Sequence, residues 1–248
     1  MPDTDALSLA AATVIVFLAA IVRGYSGFGF SLLAVTGLSL LYAPADIIPA
    51  IFLLEIAASL HLLPSIWKDI HWRSLLPLMA GVLIGLPIGV AALARLPQAP
   101  MTLALACFVL VATLLLWRGF TLKSMPNLWT TVAIGAAAGA ANGAFGIAGP
   151  PVILFYFASP AGHLAGRASL VFFFLMTDIS GFGFLALDKL VTYNSALRAL
   201  VFLPALLGGV WLGSHSFKGA DPERFRRIVL LVLALLAVVT AVKAGLAS

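Results

Sequence analysis

Long apolar runs divide the chain into eight hydrophobic segments, four in each half. The predicted segments cover residues 7–42, 46–67, 74–94, 99–117, 129–158, 168–187, 196–217 and 228–246. Because about 20 apolar residues in a helix cross a bilayer, six of these segments are long enough for one crossing each. The segments 7–42 and 129–158 are too long for one helix, and both are interrupted.

The first interruption is the stretch 23–31, Arg-Gly-Tyr-Ser-Gly-Phe-Gly-Phe-Ser, which has three glycines in six residues. Glycine lowers helix propensity and admits unusual backbone angles, so this pattern predicts a break in the helix. A similar stretch, 142–151, reads Asn-Gly-Ala-Phe-Gly-Ile-Ala-Gly-Pro-Pro. Two Gly/Pro-interrupted segments in corresponding places of two halves indicate the binding site of a secondary transporter.

The composition restricts the class of protein. Of the 248 residues 62% are hydrophobic and 9% charged, and the mean hydropathy is +1.14. These values predict an all-α, polytopic helical membrane protein. The net charge of +5 comes mostly from short loops, so it indicates membrane orientation and not nucleic-acid binding. Cys107 is the single cysteine, and no His/Asp/Glu spacing suggests a metal, so we expect neither a cofactor nor a metal.

The two halves resemble each other. A shift of 119 residues places Arg23 on Asn142 and Gly27 on Gly146. With small gaps, Glu55 falls near Asp178, and the glycines at 81 and 85 fall near those at 209 and 213. We therefore predict two transmembrane repeats, 1–122 and 123–248, within one membrane domain.

Loop charges predict how the repeats are oriented. If each broken segment returns to its starting side, nine basic residues share one side and four the other. The larger group is Lys68, Arg73, Arg118, Lys123, Arg167, Lys218, Arg224, Arg226 and Arg227. The positive-inside rule then places the acidic N-terminus outside, which is the periplasm of a bacterium. An odd number of crossings per half makes the repeats inverted.

These motifs resemble a known family. A glycine-rich break after a short apolar run, repeated as Gly143-x-x-Gly146-x-x-Gly149-Pro-Pro, is similar to the TauE/SafE family. The resemblance covers essentially the whole chain. It implies a bacterial inner-membrane transporter for sulfite or C2–C3 organosulfonates such as sulfoacetate and isethionate. It does not imply a transport direction or an oligomeric state, and a homo-oligomer is compatible with it.

The breaks are the predicted substrate site, because half-helix N-termini expose N–H groups that bind anions. A guanidinium at this depth would add a planar set of donors. The predicted substrate-binding residues are Arg23, Gly24, Tyr25, Ser26, Gly27, Gly29, Ser31, Asn142, Gly143, Gly146 and Gly149. The alternatives are glycines that only allow close helix packing and an Arg23 that snorkels to the interface.

Glu55 and Asp178 are candidate proton carriers, because each lies inside the second long helix of its half. The alternative is structural, with one carboxylate neutralising Arg23 or Arg198. His61 shares the helix of Glu55 but lies on another side, which favours a structural role.

Two other functions remain open at this stage. Gly24-Tyr25-Ser26-Gly27 matches the nucleophile motif of rhomboid-type intramembrane serine proteases, with His61 as the available base. A passive anion channel would share the fold and lack proton coupling. The chain holds no Walker motif, so we expect no ATP-driven transport by this polypeptide.

Overall fold

The computed structural model describes residues 6–118, 125–158 and 163–215, together with 231–232, 234–240 and 242. Its long helices are α1 Ala6–Ser26, α2 Phe30–Leu38, α3 Pro44–Ile66, α4 Trp72–Arg95, α5 Gln98–Arg118, α6 Leu128–Phe145, α7 Gly149–Ala158, α8 His163–Leu187 and α9 Tyr193–His215. The predicted all-α fold is confirmed over these ranges, which contain no strand. Of the predicted segment 228–246, the structure describes residues 231–232, 234–240 and 242, all of them helical.

Local sequence explains where several helices begin. Pro44 stands in the first turn of α3, where its missing N–H removes no helical hydrogen bond. The Asn127 side chain accepts a hydrogen bond of 2.9 Å from the Thr130 N–H and caps α6. Helix interiors nevertheless contain prolines, such as Pro77 in α4 and Pro204 in α9, which membrane helices tolerate.

Six of the described helices, α1, α3, α4, α5, α8 and α9, are long and apolar enough to cross a membrane. Large apolar side chains on their outer faces are exposed, for example Leu76, Ile84 and Ile88 on α4. An exposed apolar surface of this extent is expected where acyl chains replace water. The chain is therefore a multi-pass helical membrane protein.

Both predicted breaks occur, but they are narrower than the glycine pattern suggested. Helix α1 continues through Arg23 to Ser26, and only residues 27–29 leave the helix. Gly27 and Gly29 have φ angles of 79° and 90°, in the left-handed region that glycine adopts without strain. In the second half α6 runs to Phe145, and Gly146 at φ 67° ends it.

The first broken segment is a hairpin. A Cβ added at Gly29 would lie 3.2 Å from Val22, and one added at Gly37 would lie 2.8 Å from Ile15. Residues further along α2 therefore contact earlier residues of α1. Helices α1 and α2 are therefore antiparallel, as a hairpin requires, and α7 packs against α6.

Among the described helices, the most extensive contact is between α4 of the first half and α6 of the second. The glycines of α4 make it possible: a Cβ at Gly85 would overlap the Ala136 carbonyl oxygen, and one at Gly89 the Ala140 carbonyl oxygen. These glycines therefore allow the backbones of α4 and α6 to approach closely.

The contact equivalent to it by the repeat joins α9 of the second half to α1 of the first. Here a Cβ at Gly209 would lie 2.6 Å from the Phe17 carbonyl oxygen, and one at Gly213 would overlap that of Ile21. Phe17 and Ile21 are the counterparts, at a shift of 119, of the two α6 alanines. The sequence comparison matched Gly209 and Gly213 with Gly81 and Gly85. In the structure they correspond to Gly85 and Gly89, one helical turn later.

Candidate functional site

Arg23 lies in the protein interior, in the last turn of α1, with a side-chain exposure of 0%. Its Nη2 is 3.1 Å from Glu55 Oε2 and donates a hydrogen bond of 2.8 Å to Ser59 Oγ. Both partners belong to α3. A snorkelling arginine would reach toward the interface, so that alternative is wrong.

Glu55 also contacts the second half-helix of the first break. Its Oε1 accepts a hydrogen bond of 3.2 Å from the backbone N–H of Ser31, in the first turn of α2. The N-cap residue Gly29 has no side chain with which to cap this helix. Glu55, 24 positions further along the chain, therefore supplies the carboxylate that favours a helix N-terminus.

The second break approaches the same place. The Arg23 guanidinium carbon lies 5.1 Å from the centroid of the Phe174 ring. The tip of that ring lies 3.8 Å from the position of a Cβ at Gly149, the first residue of α7. Arg23 and the start of α7 therefore both contact Phe174, so the two breaks converge around this ring.

The second half has its own buried polar pair. Asn142 Nδ2 donates a hydrogen bond of 3.0 Å to Asp178 Oδ1, and both residues are almost fully buried. The two residues are 36 positions apart, as are Arg23 and Ser59. The counterpart of Asp178 is therefore Ser59 and not Glu55, whose own counterpart at the shift of 119 is Phe174.

One arginine and two carboxylates thus share a buried centre formed by α1, α3 and α8. Arg23 and Glu55 both act electrostatically on Asp178. Asp178 Oδ2 has no hydrogen-bond donor within the described ranges, and neither Arg23 Nε nor Arg23 Nη1 has an acceptor there. The centre therefore keeps both unused N–H donors and an unused carboxylate acceptor.

Arg167 is a second cation at the first break. Its Cγ and Nε lie 3.0 and 3.1 Å from the Cβ position of Gly27, and it acts electrostatically on Arg23. Its Nε is buried without an acceptor in the part of the chain that the structure describes. The sequence reasoning missed this residue and treated Arg167 as an orientation charge in a loop. No sequence pattern pointed to this contact; in the structure its counterpart at the shift of 119, Ile48, packs in the same way against Gly146.

Two predicted site residues lie in helix contacts. A Cβ at Gly24 would overlap the Val210 carbonyl oxygen of α9, and one at Gly143 would overlap that of Leu86 in α4. Both glycines stay within regular helices, so their N–H groups are not those of a half-helix N-terminus. Tyr25 follows Gly24 in α1 and is half-buried.

Ser26 closes the turn that begins the first break. Its single O–H can donate to the carbonyl oxygen of Val22 at 2.8 Å or to that of Phe28 at 2.7 Å, and its Oγ accepts from the Phe28 N–H at 3.3 Å. The base suggested for a protease, His61, is exposed on α3. The hydroxyl is thus engaged by backbone atoms of its own turn.

Ser26→Ala is expected to lower the free energy of unfolding by about 1 kcal/mol, because it removes these turn hydrogen bonds. Transport should continue. Thermal unfolding in detergent and flux in proteoliposomes would measure the two effects. A peptidase activity of the wild type that disappears in the variant would instead support the protease interpretation.

The fold and its centre define the class of this protein: a multi-pass membrane protein in which two broken helical segments meet at buried charges. Residues 12–240 match the family model described as "Sulfite exporter TauE/SafE", and the chain belongs to that family. A protein of Cupriavidus necator named "Probable sulfite/organosulfonate exporter TauE" is 26% identical over 219 residues, which cover 84% of each chain. No solved structure matches the chain.

Proposed function

We propose that this protein is a secondary transporter and not an enzyme. It moves sulfite or a C2–C3 organosulfonate, such as sulfoacetate or isethionate, across the bacterial inner membrane. Family membership and the name of the Cupriavidus relative support the substrate class. The observation that carries the proposal is the buried Arg23, which is linked to the first turn of α2 through Glu55 and to the start of α7 through Phe174.

The chemistry of these groups suits a sulfur oxyanion. A guanidinium presents planar N–H donors to sulfonate oxygens, and the first turns of α2 and α7 add partial positive charge. Arg23 Nε and Nη1 are the donors best able to receive the anion, since they have no acceptor among the described residues. Arg167, beside Gly27, provides a second positive charge on the same break.

The proposed site is smaller than the set predicted from sequence. It keeps Arg23, Gly27, Gly29 and Ser31 of the first break and adds Arg167. From the second break it keeps Asn142, Gly146 and Gly149, with Tyr25 at its margin. Gly24 and Gly143 are assigned to helix packing, and Ser26 to the turn, because of the contacts that each of them makes.

Inverted repeats rocking around the centre would provide alternating access. The α4–α6 contact and the α9–α1 contact each join one half to the other at corresponding positions, and this correspondence supports the internal symmetry. Without Arg167, the loop charges still favour one side by eight to four, which supports a periplasmic N-terminus. Proton coupling would use Glu55 or Asp178.

The test is transport by purified protein in proteoliposomes. We expect saturable flux of sulfite, sulfoacetate or isethionate that accelerates when the same anion is present on the opposite side. Such exchange identifies a carrier, whereas a channel would show no acceleration. Arg198→Gln is the matched control, because Arg198 lies on α9 and donates to the Asp46 carbonyl oxygen. Folded protein that moves none of these anions would contradict the proposal.

A further inference from the structure

We propose that Glu55 is an internal anion that occupies the substrate site and that its carboxylate must leave Arg23 before a substrate anion can bind fully. This inference rests on the proposed function and concerns how that site is regulated. It assigns to Glu55 a role as a competitor of the substrate.

The first observation is that Glu55 uses the donors that a sulfonate would use. One carboxylate oxygen faces Arg23 Nη2 at 3.1 Å, and the other accepts the Ser31 N–H at 3.2 Å. A guanidinium and a helix N-terminal amide are a common pair of groups for binding an oxyanion. The carboxylate therefore occupies the position of a ligand within the protein itself.

The second observation is that this contact can be exchanged. The approach of Glu55 Oε2 to Arg23 is an ion pair without hydrogen-bond geometry, because this oxygen has no hydrogen-bond donor among the described residues. Arg23 Nε and Nη1 also remain unused there. An incoming anion can thus engage the unused donors first and then displace Glu55.

The third observation is that the repeat does not require this carboxylate. At the counterpart of Glu55 the second half has Phe174, and at the counterpart of Arg23 it has Asn142. Asn142 is bonded to Asp178. A buried cation paired with a carboxylate at a half-helix N-terminus is therefore a feature of the first break.

The charges around Glu55 link its own charge to anion binding. Facing it are Arg23 of α1 and the Ser31 N–H of α2, and the Asp178 carboxylate of α8 interacts with it electrostatically. On its own helix, Ser59 is the neighbour and is bonded to Arg23. The negative charge of Glu55 offsets the positive charge of Arg23, so a neutral residue at position 55 leaves that charge available to an incoming anion. Affinity for an anion should therefore rise when a substitution removes the charge of Glu55.

The experiment measures binding of isethionate to the purified full-length protein by calorimetry. Isethionate carries one negative charge, so it probes the charge of the site directly. Glu55→Gln should bind isethionate about tenfold more tightly than wild type. Glu55→Ala, which also removes the carboxylate, is the second variant and should gain affinity as well. Asp46→Asn, an exposed carboxylate early in α3, is the matched control and should behave like wild type.

Two results would overturn the inference. One is a folded Glu55→Gln or Glu55→Ala that binds isethionate no more tightly than wild type, which would make Glu55 a positioning residue for Arg23. The other is an equal gain of affinity in Asp178→Asn, which would show that any negative charge of the buried centre opposes the anion, and not the carboxylate at Arg23 in particular.

Nitrate and bromide, measured in parallel, separate this inference from the substrate assignment. If Glu55→Gln gains affinity for these anions and neither protein binds a sulfonate, the internal anion stands and the proposed substrate class is wrong. If wild type and both Glu55 variants bind isethionate equally, the substrate class stands and the internal anion is wrong.

Discussion

Gly85→Ala is expected to lower stability strongly, whereas Gly183→Ala should leave stability unchanged or slightly higher. A Cβ at Gly85 would overlap the backbone carbonyl oxygen of Ala136, and backbone atoms of a packed helix cannot move aside as a flexible side chain can. The contact between α4 and α6 is the most extensive among the described helices, so the free energy of unfolding should fall by about 3 kcal/mol or more. This loss should appear as a large fall in the midpoint of thermal unfolding in detergent.

Gly183 provides the matched control, because it also lies in a helix and a Cβ there would meet no atom within 4 Å. The alanine should stabilise its helix by about 0.5–1 kcal/mol, since glycine loses more conformational freedom on folding. Equal unfolding midpoints for the two variants would show that α4 and α6 do not pack at the separation described.

Arg23→Gln is expected to lower stability strongly and to abolish transport. Adding Glu55→Gln should restore stability but not transport. The single variant leaves Glu55 buried, 3% exposed, without its cation. Breaking a buried ion pair in this way costs about 3–5 kcal/mol. The double variant removes both charges, so most of that loss should return, while the proposed anion site still lacks its guanidinium.

The two effects separate because stability and flux are measured on the same preparations, by thermal unfolding and by anion exchange in proteoliposomes. The Arg198→Gln control should retain both properties. Transport at the wild-type rate by the double variant would restrict Arg23 to a structural role, and the proposed site would then centre on Arg167 and the two half-helices.

Much of the architecture could be predicted from short-range patterns. Hydropathy located α3, α4, α5, α8 and α9, because an apolar run of one bilayer thickness is a property of neighbouring residues. The breaks at Gly27 and Gly146 were also found, since glycine acts on the backbone at its own position. The extent of each break was overestimated, because Gly24 and Gly143 have the same local sequence preference and yet remain helical.

The composition of the buried centre was only partly predicted. Arg23, Glu55, Asn142 and Asp178 stood out, because polar residues within apolar runs are costly and therefore informative. The sequence did not show which of these residues contact each other, and the gapped comparison of the halves matched Glu55 with Asp178. The contacts, each joining residues 36 positions apart, match Ser59 with Asp178.

The sequence by itself determined a helical membrane protein of two similar halves, each with a glycine break, together with the family to which it belongs. Only the tertiary structure decided that Arg23 is held by Glu55, that Glu55 caps α2, and that Arg167 reaches Gly27. The reason is physical: helix length and glycine flexibility depend on adjacent residues. Ion pairs and caps between helices depend on how far each helix is rotated and translated against its neighbours.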